Sequence, residues 1–469
     1  MIDADELTRL RAENQALRAQ LDQVLAQLAQ VSDQLATAQT RIAELEQQRP
    51  APPPFVKPNK PAPSEPKRKR KKRAAHHNHG RQRETPTQTV PHALDRCPDC
   101  NYQLQGNCLA YTRQVIDLPE PQPIDIIEHQ VFKRWCPHCQ RWHSPKLDLR
   151  GQVLGQGRIG VRIATLLAFL RTTLRLPIRR IQAYLRALHQ LRLSVGEITE
   201  LLHQVRRTLQ AGIDRLKAQA RASPILHGDE TSWRENGQNG YIWAFSTPGE
   251  DAVRYYEYDH SRGQAVLKRI LGGKFHGHLV SDFYCGYNDY AGKKQRCWVH
   301  LLRDLHALKD DHPLDRAVQT WAQAVRACYD DAQAWLAAAG QAALAVRETQ
   351  YVQLTSRTHA LGLTYAKVYR HPCCALAKRL LRHEDELFQF VLVDGLSADN
   401  NLAERSIRPL VVIRKISGGS RSDEGTKTRL GLASLFETWQ ARTLNPFDEC
   451  FKRLSQAASS PAESSLPQQ

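Results

Sequence analysis

ILHGDE (225–230), GYIWAFST (240–247), AVRYYEYD (252–259) and GHLVSDFY (277–284) are four short β-rich runs separated by Gly, Asn and Pro. The first three read as a meander and the fourth as a further strand. KQRCWVHLLRDLHALK (294–309) then reads as a helix, with Trp298, Leu301, Leu302, Leu305 and Leu308 as its apolar stripe. Two of the strands run from apolar residues into a carboxylate: Ile225-Leu226 leads to Asp229, and Leu279-Val280 leads to Asp282. A carboxylate at the end of a buried strand is costly unless it is paired or holds a metal. Alternation along the strand sends Glu230 to the face opposite Asp229, which leaves Asp229 as the ligand.

On the N-terminal side, residues 158–222 are helical by pattern. The first helix breaks at Pro177, a second begins there, and Ser194 caps VGEITELLHQVRRTLQ (195–210). Three short helices with outward arginines suit helix-turn-helix DNA binding, although generic helix packing explains the pattern as well. Before them stand two knuckles, Cys97-Pro98-Asp99-Cys100 and Cys136-Pro137-His138-Cys139, the thiolate pattern of a structural zinc site. DIIEHQVFKRW (125–135) alternates like a strand, so a zinc ribbon with a hairpin insertion is expected over 93–150, with Cys108 and His143 as substitute ligands.

The 469-residue chain carries a formal charge of +18, which points to an anionic partner. More than half of that excess, +10, lies between Lys57 and Arg83, within a Pro-rich and basic linker over 50–92 that is expected to be disordered. Lys67, Arg68, Lys69, Arg70, Lys71, Lys72 and Arg73 there form a phosphate-binding arm. Upstream, Leu7, Leu21, Leu28, Leu35 and Ile42 take one heptad position, and Leu10, Leu17, Val24, Val31, Ala38 and Leu45 take the other. Residues 1–49 are therefore expected to form a coiled coil, and Asn14 in the seam favours a parallel homodimer. No apolar segment follows Met1 and no stretch is long enough to span a membrane, so the cytoplasm is expected. In a reducing compartment the eleven cysteines serve as metal ligands or free thiols. Residues 456–469 read as a disordered tail.

A meander, a fourth strand and a helix, with 314–390 as a helical insertion, is the order of a ribonuclease H-like domain over 223–455. In that fold the third acidic residue comes from a late helix. SADNNLAERSIRPL (397–410) supplies it: Asp399 as N-cap, Pro409 as the stop after Arg408, and Asn400, Glu404 and Arg408 on one face. The fold class is thus multidomain α+β: coiled coil, zinc ribbon, a helical domain over 151–222 resembling helix-turn-helix modules, and a ribonuclease H-like α/β domain.

Asp229, Asp282 and Glu404, with CWVH (297–300) after the second, resemble the motifs of DDE transposases. The layout from about Leu7 to Arg453, and NNLAERSIRPLVVIRK (400–415) above all, resembles the insertion-sequence-66 family of transposases. The resemblance implies a Mg²⁺- or Mn²⁺-dependent nuclease and strand transferase. Asp229, Asp282 and Glu404 would hold two ions about 3.5–4 Å apart. Water would release a DNA 3′-OH, which would then attack target DNA. It implies as partners the element's terminal inverted repeats, target DNA and element-encoded accessory proteins, in a prokaryotic, nucleoid-associated setting. It also places His300 near the active site, touching DNA phosphate, against an ordinary polar-face histidine. Arg405, Arg408 and Lys415 are expected on phosphate, against simple solvation. Trp233, Trp243 and Trp298 read as core. A catalytically inactive, dimeric zinc-ribbon DNA-binding protein derived from a transposase fits the N-terminal features equally, and only the carboxylate triad separates the two. A junction resolvase of the same fold would lack the zipper and knuckles.

Overall fold

The computed structural model describes residues 4–47 and 85–457, apart from 107, 118–119, 122, 156 and 340–341. The basic arm Lys67–Arg73 and the tail beyond 457 lie outside the described residues. Residues 1–117 and 118–469 form two compact units. In the first, α1 (Ala4–Gln47) is one unbroken helix on which Leu17, Leu21, Val24, Leu28, Val31 and Leu35 are all exposed.

The second unit begins with a two-stranded hairpin, β1 (Arg134–Cys136) and β2 (Arg141–His143), whose turn carries the second knuckle. The alternating run before it is not a strand: among the described residues only Arg134–Cys136 pairs. Ile126 and Ile127 are exposed, so no surface rewards their alternation. Four helices follow, not three: α2 (Val161–Thr172), α3 (Ile178–His189), α4 (Val195–Thr208) and α5 (Gln210–Ala222). Ser194 does cap α4, its Oγ accepting the Glu197 N–H while Glu197 accepts the Ser194 N–H, a capping box.

The sheet comprises β3 (Ile225–Glu235), β4 (Gln238–Ser246), β5 (Arg254–Asp259), β6 (Lys274–Ser281) and β7 (Ala291–Arg296), in the order β5-β4-β3-β6-β7. The first three strands are antiparallel, and β6 and β7 run parallel to β3. This mixed sheet is consistent with the ribonuclease H-like arrangement expected from the strand order. β7 was not anticipated. AGKKQR has no apolar alternation, and its Gln295 and Arg296 are buried through polar contacts described below. Between β5 and β6 lies α6 (Gln264–Leu271). After the sheet come α7 (Trp298–Asp311), α8 (Arg316–Ala339), α9 (Leu344–Ala366), α10 (Cys374–Arg382), α11 (Glu384–Leu387), α12 (Gln389–Leu392), α13 (Asn401–Ser417), α14 (Asp423–Ala441) and α15 (Pro446–Ala457).

Three cores hold the unit together. Leu226, Trp243, Phe245 and Leu279 join α6 and the helices α2–α5, so those helices share the sheet's core. Trp298, Leu301 and Leu305 of α7 join α8–α12. Trp233, Ile242, Ala244 and Tyr256 on the other face of the sheet meet Ile407, Leu410 and Ile413 of α13. All three tryptophans are core residues. Pro409 does not end α13, which continues to Ser417. Proline removes one N–H from the helix, but burying Leu410 and Ile413 favours continuing it. α14 closes the exposed edge of β5: Ser434 Oγ and Thr438 Oγ1 accept the Tyr256 and Arg254 N–H groups.

Candidate functional site

Asp229 lies on the α13 face of β3, opposite Ala244. Its Oδ1 accepts the Glu230 N–H at 2.9 Å. Burial comes first in raising its pKa, followed by the field of Glu230, and then those of Asp282 and Glu404; together they push it up to about 7. The three carboxylates therefore share one field, though they come from β3, the end of β6 and α13. Asp282 follows β6 directly, and its Oδ1 accepts the Tyr284 N–H at 2.9 Å. Glu404 sits in the first turn of α13. Its buried Oε1 makes no hydrogen bond and stands 3.7 Å from His300 Nδ1, which also lacks one.

Glu230 behaves differently. It points to the opposite face, where Arg262 pairs with it at 2.5 Å and the Tyr287 hydroxyl donates to it at 2.7 Å. That carboxylate is compensated by protein. Among the described residues no guanidinium pairs with Asp229, and carboxylate oxygens are the donors a hard divalent cation takes.

The three segments are locked by groups that sequence reading did not single out for this task. Asn400, 1% exposed, precedes α13; its Nδ2 donates to the Gly228 carbonyl at 2.7 Å and its Oδ1 meets His227 Nδ1 at 3.2 Å. Its backbone N–H donates to Cys297 Sγ at 3.2 Å, and the Trp298 N–H donates to the Ala398 carbonyl at 2.9 Å. Asp399, expected as the N-cap, instead accepts the Asn401 N–H two residues on. Burial holds His227 down to about 4, so it meets Asn400 as a neutral ring.

The strand end that presents Asp282 is braced from the helical insertion. Arg296, fully buried, donates through Nη1 to the Asp282 carbonyl at 2.8 Å and pairs with Glu386 of α11 at 2.6 Å. Burial opposes ionisation of Glu386, yet His383, Arg296 and Lys294 outweigh it and hold its carboxyl down to about 2. At the far end of β3, Gly419 at φ +122° approaches the Arg234 carbonyl so closely that a Cβ would stand 2.1 Å from that oxygen. Ser420 then pairs with Glu235 as a short extra bridge, and its Oγ accepts Trp233 Nε1–H at 3.2 Å. Arg414 of α13 reaches Thr231 Oγ1 at 3.0 Å and ties the same helix to β3.

Among the expected phosphate contacts, Arg405, Arg408 and Lys415 are exposed on α13. His300 lies beside Glu404 rather than on an open surface. In the first knuckle, the Cys100 and Asp99 N–H groups lower the Cys97 thiol pKa. In the second, the Cys139 N–H does most to lower that of Cys136. Sγ of Cys136 and Cys139 and a ring nitrogen of His143 lie within 4.8 Å of one another. Trp135 and Trp142 pack edge to face beside them. Cys108 is exposed.

Among the described residues no helix is long and apolar enough to cross a membrane. The family described as Transposase IS66 family matches residues 156–428. The uncharacterized protein y4qI of Sinorhizobium fredii (strain NBRC 101917 / NGR234) is 26% identical over 218 residues, covering 43% of this chain. The chain spans 40% of that relative's length. A chain from a simian T-cell lymphotropic virus intasome in complex with PP2A regulatory subunit B56 gamma is 11% identical and covers 33% of this chain and 66% of its own. Its TM-score is 0.13.

Proposed function

This chain belongs to the Transposase IS66 family, and on that premise we propose that it binds the ends of its insertion element and catalyses their cleavage and 3′-OH strand transfer. One observation carries the reading: burial, then Glu230, and after it Asp282 and Glu404 push Asp229 up to about 7, while a buried oxygen of Glu404 has no hydrogen-bond partner among the described residues. A fold does not place repelling carboxylates together without a counter-charge unless that charge arrives with a ligand. Asp229, Asp282 and Glu404 would hold Mg²⁺ or Mn²⁺, which when bound neutralises charge on a phosphodiester and its attacking oxygen.

The chain's own residues do the rest. Asn400 fixes the start of α13 against β3 and α7, which sets where Glu404 stands. Arg296 and Glu386 hold the Asp282 strand end. Arg405, Arg408 and Lys415, exposed along α13, offer guanidinium and ammonium donors to a DNA backbone near the triad. His300 adds a donor at the cluster's edge. The arm Lys67–Arg73 supplies sequence-independent affinity. Cys136 and Cys139, with His143 within reach, offer thiolate and imidazole donors to a structural zinc ion. The exposed apolar seam of α1 pairs with a second copy, which would bring two end-binding units together.

The test is direct. Full-length protein is incubated with Mg²⁺ and DNA carrying the element's terminal inverted repeats, beside a target plasmid. The expected products are ends with a free 3′-OH and their joining to target. Tight binding with neither nicking nor joining would favour a DNA-binding protein that has kept only recognition.

A further inference from the structure

A thiol and an imidazole converge on one member of the triad, the Glu404 carboxylate, without satisfying it. Cys297, fully buried, is the N-cap residue of α7, His300 lies on that helix's first turn, and Glu404 comes from α13. Cys297 Sγ, a ring nitrogen of His300 and a carboxylate oxygen of Glu404 all lie within 4.8 Å of one another. His300 Nδ1 and Glu404 Oε1 are both shut off from solvent with no hydrogen-bond partner. Buried polar atoms in that condition call for an occupant. The sulfur accepts the Asn400 N–H at 3.2 Å, which fixes it facing the start of α13.

We propose that Cys297, His300 and Glu404 form a second metal site, which takes a thiophilic divalent ion such as zinc and draws Glu404 out of the carboxylate cluster when filled. The donor set decides the ion. Sulfur and imidazole select zinc-like ions, whereas Mg²⁺ takes oxygen. The His300–Glu404 pair stands at 3.7 Å, close to the spacing of about 3.3–3.5 Å between nitrogen and oxygen ligands on a tetrahedral zinc. Glu404's rotatable side chain can close the remaining distance. The fourth position stays open to water, which makes the site weaker than a four-thiolate site. Binding stands on this geometry alone; its consequence, zinc inhibition of cleavage, rests on the function proposed above.

Cobalt(II) is the probe, titrated into full-length protein, because thiolate ligation gives a charge-transfer band that oxygen ligation does not. The parent is expected to take up about one equivalent more than Cys297→Ser or His300→Ala, with a single-thiolate band in the difference spectrum. Asp282→Asn should keep that equivalent. His300 is part-exposed, so His300→Ala serves even if Cys297→Ser folds poorly. Equal stoichiometry and superimposable spectra for the parent and His300→Ala would overturn the proposal. In the cleavage assay at fixed Mg²⁺, the zinc concentration that halves each protein's own activity should rise at least about tenfold in His300→Ala. An unchanged midpoint would refute the inhibitory role. Cobalt uptake without any cleavage by the parent would instead count against the transposase reading alone.

Discussion

Asp229→Asn should make the metal-free protein more stable, and increasingly so as pH rises. An unfolded aspartate titrates near 3.9, whereas burial and neighbouring carboxylates push folded Asp229 up to about 7. Between those values the native state keeps a proton that the unfolded chain has lost. Asp229's contribution to the parent's stability therefore falls as pH rises from about 4 to 7 and is level on either side. At 1.36 kcal/mol per pH step, that window amounts to at most about 4 kcal/mol, shared with the groups whose charges couple to it. Asparagine has no proton to lose, so the variant-minus-parent difference should grow by up to that amount. Urea denaturation in EDTA between pH 4 and pH 8 measures it. At pH 8, Mg²⁺ at about a hundred times its Kd should return about 2.7 kcal/mol to the parent, and less to the variant. A difference that stays flat with pH, or a variant that weakens as pH rises, would mean that Asp229 is charged and paired in the native state. The reasoning would then be wrong.

Asn400→Ala removes a buried amide that joins His227 and the Gly228 carbonyl, and should cost about 1–3 kcal/mol in urea denaturation; an unchanged midpoint would show that the bridge adds no stability. Metal analysis of purified protein should find about one zinc per chain at the knuckles, lost in Cys136→Ser; a Cys97→Ser, Cys100→Ser double variant that retains it would break the four-cysteine assignment. Neutralising Lys67 to Arg73 should flatten the log K against log[salt] slope for DNA by up to about 6; an unaltered slope would make the arm a solvated tail.

The strands bearing Asp229 and Asp282 were legible because apolar runs such as Ile225-Leu226 and Leu279-Val280 stop at a carboxylate, and Glu230 does point away from Asp229 as alternation requires. β7 was not legible. Gln295 and Arg296 are buried by partners as distant as Leu387 and Glu386, and no local pattern announces such burial. Pro409 misled for a related reason: a local stop signal lost to the tertiary packing of Leu410 and Ile413. Alternation over 125–133 failed in the opposite direction, since a period of two specifies a strand only where another strand accepts it. Asn400 was read as one amide on the Glu404 face. Its contacts with β3 and α7 depend on residues 103 to 173 positions away, beyond any sequence window.

In the proposed site Asp229, Asp282 and Glu404 hold the divalent ion on which DNA cleavage depends. Mn²⁺ binding followed by electron paramagnetic resonance, on full-length protein bound to terminal-repeat DNA, tests it most directly. Asp229→Asn, Asp282→Asn and Glu404→Gln should each lose bound Mn²⁺ and Mn²⁺-dependent cleavage together, while DNA binding persists. Glu230→Gln, whose carboxylate serves Arg262 and Tyr287 on the other face of the sheet, should keep the Mn²⁺ signal. Triad variants that bind Mn²⁺ like the parent, or that still cleave, would rule these carboxylates out as the metal ligands.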